Sequence, residues 1–156
     1  MSRLERKKKK AERNRFKITM IKELMHDPIF LAQKSEPATV SDIDVANDLF
    51  DTLTAHKDEC VGMAANMIGV KKCIICFDSG AGFMTMFNPE IIKADGAYNT
   101  EESCLSLLGG PRPVKRYKKI KVKYTESDFK IKIKTFEGWT AQIIQHEIDH
   151  LLGILI

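Results

Sequence analysis

Apolar side chains alternate with lysines over residues 119–124 and again over residues 130–134. A period of two predicts β-strands that have one face in the core and one face in solvent. The polar residues 126–128 between the two stretches predict a turn, so we expect an antiparallel hairpin. Its apolar residues, Ile131 and Ile133 included, are expected to point inward. We interpret the lysine rows as the solvated face of a half-buried hairpin rather than a nucleic-acid surface.

Apolar residues at helical spacing predict two helices. The first spans residues 41–55, and Ser41 with Asp44 forms an approximate capping box at its start. The second runs from Thr140, a suitable N-cap, to Leu152, and the glycine that follows is a typical stop signal.

Two shorter apolar runs predict strands earlier in the chain. Residues 72–77 form an apolar run typical of a buried strand, and residues 83–87 form a second strand that we expect to end at Asn88 and Pro89. No repeat of 20 to 50 residues is present, which excludes solenoids and propellers. Strands followed by a final helix, without regular strand–helix alternation, indicate an α+β domain.

The composition fits one globular domain. The chain has 156 residues, 44% hydrophobic and 29% charged, which is enough to bury a core without disulfide or metal staples. No apolar run approaches the roughly 18 residues that a membrane span needs, and no apolar stretch follows the basic start as in a secretory signal. We therefore expect a cytoplasmic protein with no membrane partner and no specific DNA binding.

The positive charge is concentrated at the start of the chain. Residues 1–19 hold nine basic and two acidic side chains, whereas residues 20–156 hold 16 basic and 19 acidic ones. We interpret residues 1–19 as a flexible extension, or as a stretch upstream of a natural start at Met20, and residues 20–156 as the folded domain. The alternative is that this basic tail attracts RNA, such as that of a ribosome.

The four cysteines fit a reducing compartment, where they stay thiols. Cys73 and Cys76 form a C-x-x-C pair, which can indicate redox chemistry or half of a zinc site. The pair lies in the apolar run at 72–77, and no second C-x-x-C completes four ligands. Core packing is therefore the better interpretation.

The last predicted helix carries the strongest chemical signal, the H-E-x-x-H motif from His146 to His150. Residues four apart lie on one helical face, so the two imidazoles can bind one metal ion. Glu147 is placed to take a proton from a water molecule on that metal. Surface histidines are the alternative, but the apolar residues around them would bury this helix, and buried histidines need partners.

Catalytic metal sites have three protein ligands and one open position, so a third ligand is needed. Cys104 lies in a polar stretch outside the predicted strands, where its thiolate could reach the helix. On spacing alone, Asp149 or a distant carboxylate competes with it. Two nitrogens and one sulfur suit iron, zinc, nickel or cobalt as the single divalent ion.

Three ordered segments resemble the motifs of the peptide deformylase family. The family motif G-x-G-x-A-A-x-Q corresponds to CVGMAANM at residues 60–67, E-G-C-L-S to ESCLS at residues 102–106, and H-E-x-D-H to residues 146–150. Residues 20–28 also resemble the usual opening of the family, so the similarity covers residues 20–156. The resemblance implies antiparallel strands packed around a central C-terminal helix that carries the H-E-x-x-H motif.

The resemblance also implies the reaction and its residues. Cys104, His146 and His150 would bind the metal, ferrous iron in many members, and Glu147 would be the general base and then the general acid. The substrate would be an N-formylmethionyl chain leaving the ribosome, whose formyl group is hydrolysed to formate. The backbone N–H of Leu105 would stabilise the tetrahedral oxyanion.

The remaining residues that the resemblance places at the substrate are the substrate-binding set, and here the chain departs from the family. The set consists of Val61, Gly62, Met67, Ser103 and Arg112. Met67 stands where the family has a glutamine that donates to the oxyanion, and a thioether cannot donate a hydrogen bond. Losing one such donor typically lowers turnover by about 10²–10³. In addition, Ser103 and Cys60 each replace a family glycine.

These departures leave three hypotheses. The first is an active deformylase of reduced rate. The second is a metal-containing homologue that binds formylated chains or ribosomes without useful turnover. The third is an amidase that releases another acyl group from the same scaffold.

Overall fold

The computed structural model describes residues 2–7 and 21–156. Residues 3–7 form a short helical segment. Residue 1 and residues 8–20 lie outside the described residues, and most of the predicted flexible extension, residues 1–19, falls among them. No helix within the described ranges is both long and apolar enough to cross a membrane.

Five antiparallel strands form one sheet, and three α-helices complete the described domain. The strands are paired in chain order, β1 to β5. The helices are α1 (Pro28–Leu31), α2 (Ile43–Ala55) and α3 (Gly138–Leu151), and the strands are β1 (Gly62–Ala64), β2 (Ile74–Asp78), β3 (Phe83–Glu102), β4 (Arg112–Thr125) and β5 (Ile131–Glu137). Short 3₁₀ turns at Val40–Asp42 and Ala65–Ile68 lead into α2 and follow β1. This arrangement confirms the predicted α+β class with antiparallel strands and a final helix.

The core has two parts that meet at β2. Ile75 and Phe77 pack with α3 and the inner face of the sheet, while Ile74 and Cys76 pack with α2 and the turn after β1. All four are fully buried, as expected for the apolar run predicted as a strand. The interpretation of Cys73 and Cys76 as packing residues is confirmed, because both are free thiols, partly or fully buried.

The helix starts differ slightly from the prediction. The main chain N–H of Thr39 donates to Asp42 at 2.8 Å, so this pair, rather than Ser41 and Asp44, closes the turn before α2. Helix α3 begins at Gly138 after Glu137, two residues before the predicted N-cap Thr140.

The predicted end of the third strand at Asn88 and Pro89 is wrong. Asn88 has a φ of 52°, and the strand pairing shifts register between Phe87 and Glu90. The Asn88 side chain accepts from the N–H of Ala38 and donates to its carbonyl, at 2.7 and 2.9 Å. These two bonds hold a bulge, and β3 continues beyond it to Glu102.

The hairpin of β4 and β5 is confirmed, but the predicted facing of β5 is wrong. Ile131 and Ile133 are 67% and 54% exposed. The register pairs Ile133 with Lys123 on the outer face, because Phe136 occupies the inward position and packs edge-on against Phe77 at 6.2 Å.

Acidic residues lie opposite two of the lysines on the outer face of the sheet. Lys119 lies opposite Asp95 on β3 and Glu137 on β5, and its Nζ is 3.5 Å from the Glu137 carboxylate. Lys123 lies opposite Glu90. Acidic residues across the strands therefore offset Lys119 and Lys123, whereas Lys121 lies opposite Lys93. The lysines of this row are exposed, which agrees with a solvated face.

Candidate metal centre and cavity

Three potential metal ligands converge where α3 meets the loop after β3. His146 and His150 lie one turn apart on α3, and Cys104 lies two residues beyond the end of β3. One ligand atom from each lies within 4.8 Å of the other two. The two Nε2 atoms are 3.1 Å apart, near the roughly 3.4 Å that two nitrogens keep around a tetrahedral zinc ion.

The hydrogen bonding of His146 fits a metal at this point. Its Nδ1 donates to Glu102 Oε1 at 2.8 Å, which leaves Nε2 of the neutral ring with a lone pair facing the other ligands. In His150 it is again Nε2 that faces them, and its Nδ1 has no partner among the described residues. Two imidazole nitrogens and one thiolate form a donor set suited to a divalent transition metal.

Glu102 is the centre of a dense network behind His146. Besides His146, its carboxylate accepts from Arg116 at 2.6 to 3.1 Å and from Gln142 Nε2 at 2.9 Å. Burial alone would raise the pKa of Glu102, but the bonds from His146, Arg116 and Gln142 outweigh it and lower the pKa to about 2. Glu102 is therefore ionised and fixes the orientation of the His146 ring.

Arg116 links this network to the other side of α3. Its guanidinium is 4% exposed and also donates from Nη1 to Asp149 Oδ2 at 2.7 Å. Asp149, which competed as a metal ligand in the sequence, is thus engaged by Arg116 instead. One buried cation holds two carboxylates, one next to Cys104 and one next to His150.

Glu147 lies on the inner wall of the site. It is 2% exposed, and its Oε1 has no hydrogen-bond partner in the described part of the chain. A Cβ on Gly62 would lie 2.6 Å from Glu147 Oε2, so only glycine lets β1 approach the carboxylate this closely. Burial raises the pKa of Glu147 to about 7. A carboxyl with such a pKa can both accept and release a proton near neutral pH.

Without a metal, the pKa values of the two histidines are shifted in opposite directions. Burial lowers the pKa of His150 to about 3, with a further contribution from His146. Burial would also lower the pKa of His146, but Cys104 and Glu102 beside it raise that pKa to about 10. His150 is thus neutral and ready to bind a metal, whereas a metal must displace a proton from His146.

A cavity of about 380 Å³ opens in front of these groups. Residues from three segments line it: Glu59–Gly62, Glu101–Leu105, and Trp139, Gln142, Ile143, His146 and Glu147 of α3. Seven of the ten residues singled out in the sequence are among them, namely Val61, Gly62, Ser103, Cys104, Leu105, His146 and Glu147. The N–H of Leu105 donates to no acceptor among the described residues. His150 lies behind the cavity and is fully buried.

The other two predicted residues lie outside this lining. Met67 is 1% exposed and accepts a hydrogen bond from the N–H of Ala64 at its Sδ, at 3.5 Å. It belongs to the apolar cluster against which Cys104 packs. Arg112 donates from Nη2 to the carbonyl of Leu108 at 2.7 Å, so its guanidinium is held within the loop after Cys104.

The sequence contained signals for three residues whose role was not predicted. Gln142 and Trp139 are four and seven positions before His146, so helical spacing alone places them on its face. Arg116 has the parity of Ile120 and Val122 on β4, which marks an inward position. The inward position of Arg116 was not recognised, because a basic residue among neighbouring lysines is readily taken for part of the solvated row.

Comparisons with known proteins agree with this geometry. The sequence profile of the family "Polypeptide deformylase" matches residues 19–156. A peptide deformylase of Clostridium beijerinckii is 54% identical over 137 residues, which is 88% of this chain and all of that protein. One from Thermoanaerobacter pseudethanolicus is 38% identical over 126 residues, covering 80% of this chain and 79% of that protein.

Solved structures of the same kind share the fold. A peptide deformylase from Legionella pneumophila superposes with a TM-score of 0.77 at 34% identity, covering 86% of this chain and 83% of that one. A class I type b peptide deformylase from Acinetobacter baumannii, bound to Met-Ala-Ser, superposes with a TM-score of 0.75 at 25% identity. It covers 86% of this chain and 95% of that one.

Proposed function

Because the chain belongs to the polypeptide deformylase family of metallohydrolases, we propose that it removes the N-formyl group from the N-terminal methionine of nascent polypeptides. Water breaks the amide bond between the formyl carbon and the methionine nitrogen, and formate and a free amine are released. The observation that carries the proposal is the convergence of Cys104, His146 and His150 beside the buried carboxyl of Glu147 in one cavity.

Cys104, His146 and His150 would hold the metal. Their two nitrogens and one sulfur suit Fe²⁺, which we propose as the native ion, and also Zn²⁺, Ni²⁺ or Co²⁺. A divalent ion held in this way supplies hydroxide at neutral pH, because it lowers the pKa of water to about 7. Glu102 and Arg116 would keep the His146 ring in the tautomer that presents Nε2 to the ion.

Glu147 would move the proton. Glu147 lines the cavity and its Oε1 has no hydrogen-bond partner among the described residues, so the carboxyl can take a proton from the attacking water. The same carboxyl would then deliver that proton to the methionine nitrogen as the amide bond breaks. A pKa of about 7 suits both transfers, because each form of the carboxyl is populated near neutral pH.

The oxyanion would have one main-chain donor, the N–H of Leu105. The side chain of Met67 adds no second donor, because it is apolar and turned toward Ala64. We therefore propose a turnover roughly 10²–10³ below that of a site with both donors. Leu105 and Glu147 are the catalytic residues in this proposal.

The substrate would lie along the cavity between β1 and the loop after β3. Val61 and Gly62 would contact the methionine side chain and the peptide main chain on one side, and Ser103 on the other. Met67 would act from the apolar cluster against which Cys104 packs, and Arg112 would act on the peptide only after release from Leu108. The likeness to a deformylase bound to Met-Ala-Ser supports a tripeptide-sized substrate segment.

The partner would be the nascent chain, in the cytoplasm. In this proposal residues 20–156 form the metallohydrolase domain, and residues 1–19 form an extension that binds the ribosome through its basic side chains.

Formate release from formyl-Met-Ala-Ser tests the proposal. The protein is prepared without oxygen, loaded with iron or nickel, and compared with a chelator-treated sample whose metal content is measured. We expect formate only from the metal-loaded sample. A filled metal site without formate release would reject the proposal, and acetyl-Met-Ala-Ser in parallel would reveal release of a different acyl group.

A further inference from the structure

The mouth of the cavity carries an exposed aromatic side chain. Trp139 is the only tryptophan of the chain, lies in the first turn of α3 and lines the cavity. Its side chain is 62% exposed. An aromatic ring left open at a cavity mouth offers a face to whatever enters, and its π-electrons attract cations.

The same mouth carries uncompensated negative charge. Glu59 and Glu101 line it and are exposed, and no lysine or arginine is among the lining residues. Among the described residues, the ion-pair partner of the Glu59 carboxylate is the imidazole of His56, at 3.3 Å. Within residues 2–7 and 21–156, neither carboxylate pairs with an amine or a guanidinium. The Glu102 carboxylate deeper in the cavity differs, because Arg116 neutralises it.

A further carboxyl, that of Glu147, lies at the inner end of the cavity. Glu147 is 98% buried, faces the cavity and has an Oε1 without a partner in the described chain. Together with the convergent ligand atoms of Cys104, His146 and His150, this carboxyl marks the inner end of the cavity as the place where, in the proposed function, the formyl group reacts. A peptide that reaches it must run outward past Trp139 and the two exposed carboxylates.

We propose that Trp139, Glu59 and Glu101, the cavity mouth, select formylated peptides that carry lysine or arginine directly after the methionine. A cationic side chain there can lie against the indole ring and near a carboxylate at once. A peptide with an acidic residue at that position meets two like charges instead. The inference rests on the proposed deformylase function and adds the class of sequence that is preferred.

Three peptides test it with the metal-loaded protein: formyl-Met-Lys-Ser, formyl-Met-Ala-Ser and formyl-Met-Glu-Ser. We expect kcat/KM to fall in that order, with about a tenfold difference between the first and the last at low salt. At 0.5 M NaCl the difference should shrink to about twofold, because salt screens exposed charges. Equal values for all three peptides at low salt would overturn the inference and leave the deformylase function standing.

Variants separate the two parts of the mouth. The double variant E59Q/E101Q should lose most of the preference for lysine, whereas E90Q, an exposed carboxylate on β3 outside the cavity, should keep it. W139L should lose part of the preference and W139F should retain it, because phenylalanine keeps an aromatic face. An unchanged preference in E59Q/E101Q would contradict the charge argument.

Fluorescence provides a readout that does not need turnover. Because Trp139 is the sole tryptophan, its emission should change when Met-Lys-Ser binds, and about tenfold more Met-Glu-Ser should be needed for the same change. If no peptide releases formate although the metal is bound, the proposed function fails, and this titration still decides the inference. Equal half-saturation for both peptides would then overturn it.

Discussion

The wall of the cavity formed by α3 and the end of β3 differs in how its polar groups are held from the segment of residues 60–68, the second wall, which lines the cavity with Cys60, Val61 and Gly62 and continues behind it. On the first wall, both oxygens of Glu102 accept hydrogen bonds, from three different side chains. On the second, the side chains are small or apolar except for Asn66, whose amide donates to the carbonyl of His150, and Met67 offers only a thioether. In the proposed function, the first wall would hold a metal ion in one geometry, whereas the second would lack a hydrogen-bond donor to the substrate.

This difference shows that the two functions of the site can change separately. Metal binding depends on residues whose charges and orientations are tied together, so one substitution disturbs several of them. In the proposed function, the second oxyanion donor would depend on the single side chain at position 67, which lies in an apolar cluster where Met67 is buried. Four predictions test the contrast, in order of decreasing effect.

The largest effect is expected for Glu147→Gln on the first wall. The amide cannot accept the proton of the attacking water, so formate release should fall about 10³-fold. Metal content measured by elemental analysis should stay unchanged, because Glu147 is not one of the three convergent ligands. Glu90→Gln, outside the cavity, is the control and should retain full activity. Loss of metal in Glu147→Gln would mean that this carboxyl holds the ion.

The second prediction concerns Arg116→Met. Removing the guanidinium leaves Glu102 and Asp149 without their buried partner, which should lower the free energy of unfolding by about 3–5 kcal/mol. Urea denaturation of the metal-free protein measures it. The control is Lys119→Met on the same strand, where an exposed pair with Glu137 should contribute less than about 1 kcal/mol. Similar losses in both variants would refute the special role of the buried network.

On the second wall, Met67→Gln should raise formate release about 100-fold, or roughly 3 kcal/mol in the barrier. A glutamine there can accept from the N–H of Ala64 with its oxygen, as the Met67 sulfur does, and turn its amide N–H₂ toward the Cys104 side. Met67→Leu is the matched control and should stay at the wild-type rate. No gain in the glutamine variant, with the metal site filled, would show that the missing donor is not the limit.

The smallest effect is a pH dependence on the first wall. The pKa of Glu102 is about 2 in the folded chain and near its usual value of 4.5 when unfolded. Glu102 therefore stabilises the folded state above about pH 4.5, and this contribution is lost as the pH falls toward 2. Between pH 4.5 and pH 2, the free energy of unfolding should fall more steeply with decreasing pH for the metal-free wild type than for Glu102→Gln. Parallel curves would contradict the lowered pKa.

The sequence was sufficient for the parts of the site that follow helical spacing. His146, Glu147 and His150 lie on one helix, and the geometry of that helix brings them together without reference to the rest of the fold. Cys104 was ambiguous from spacing and was assigned only through the resemblance to a family. Its approach to α3 depends on the length of β3, which the sequence did not indicate beyond Asn88.

Other features depend on contacts between distant segments. Which face of β5 points into the core is decided by the packing of Phe136 and by the register with β4. This leaves Ile131 and Ile133 on the outer face, although both are apolar. The bulge at Asn88 exists because its amide finds the main chain of Ala38, 50 residues earlier. Such pairings carry no local periodicity, so a pattern along the chain cannot predict them.

The end of α3 has a consequence for how the protein is made. The N–H of Ser35 donates to the carbonyl of Leu151 at 2.8 Å, and Asn66 donates to that of His150 at 2.8 Å. Gly153 packs so closely on the main chain of Ala32 that a side chain there would clash. The second histidine is thus held by segments synthesised long before it. During translation these hydrogen bonds cannot form until residues 146–153 have been synthesised. We therefore expect metal uptake to be among the last steps of maturation.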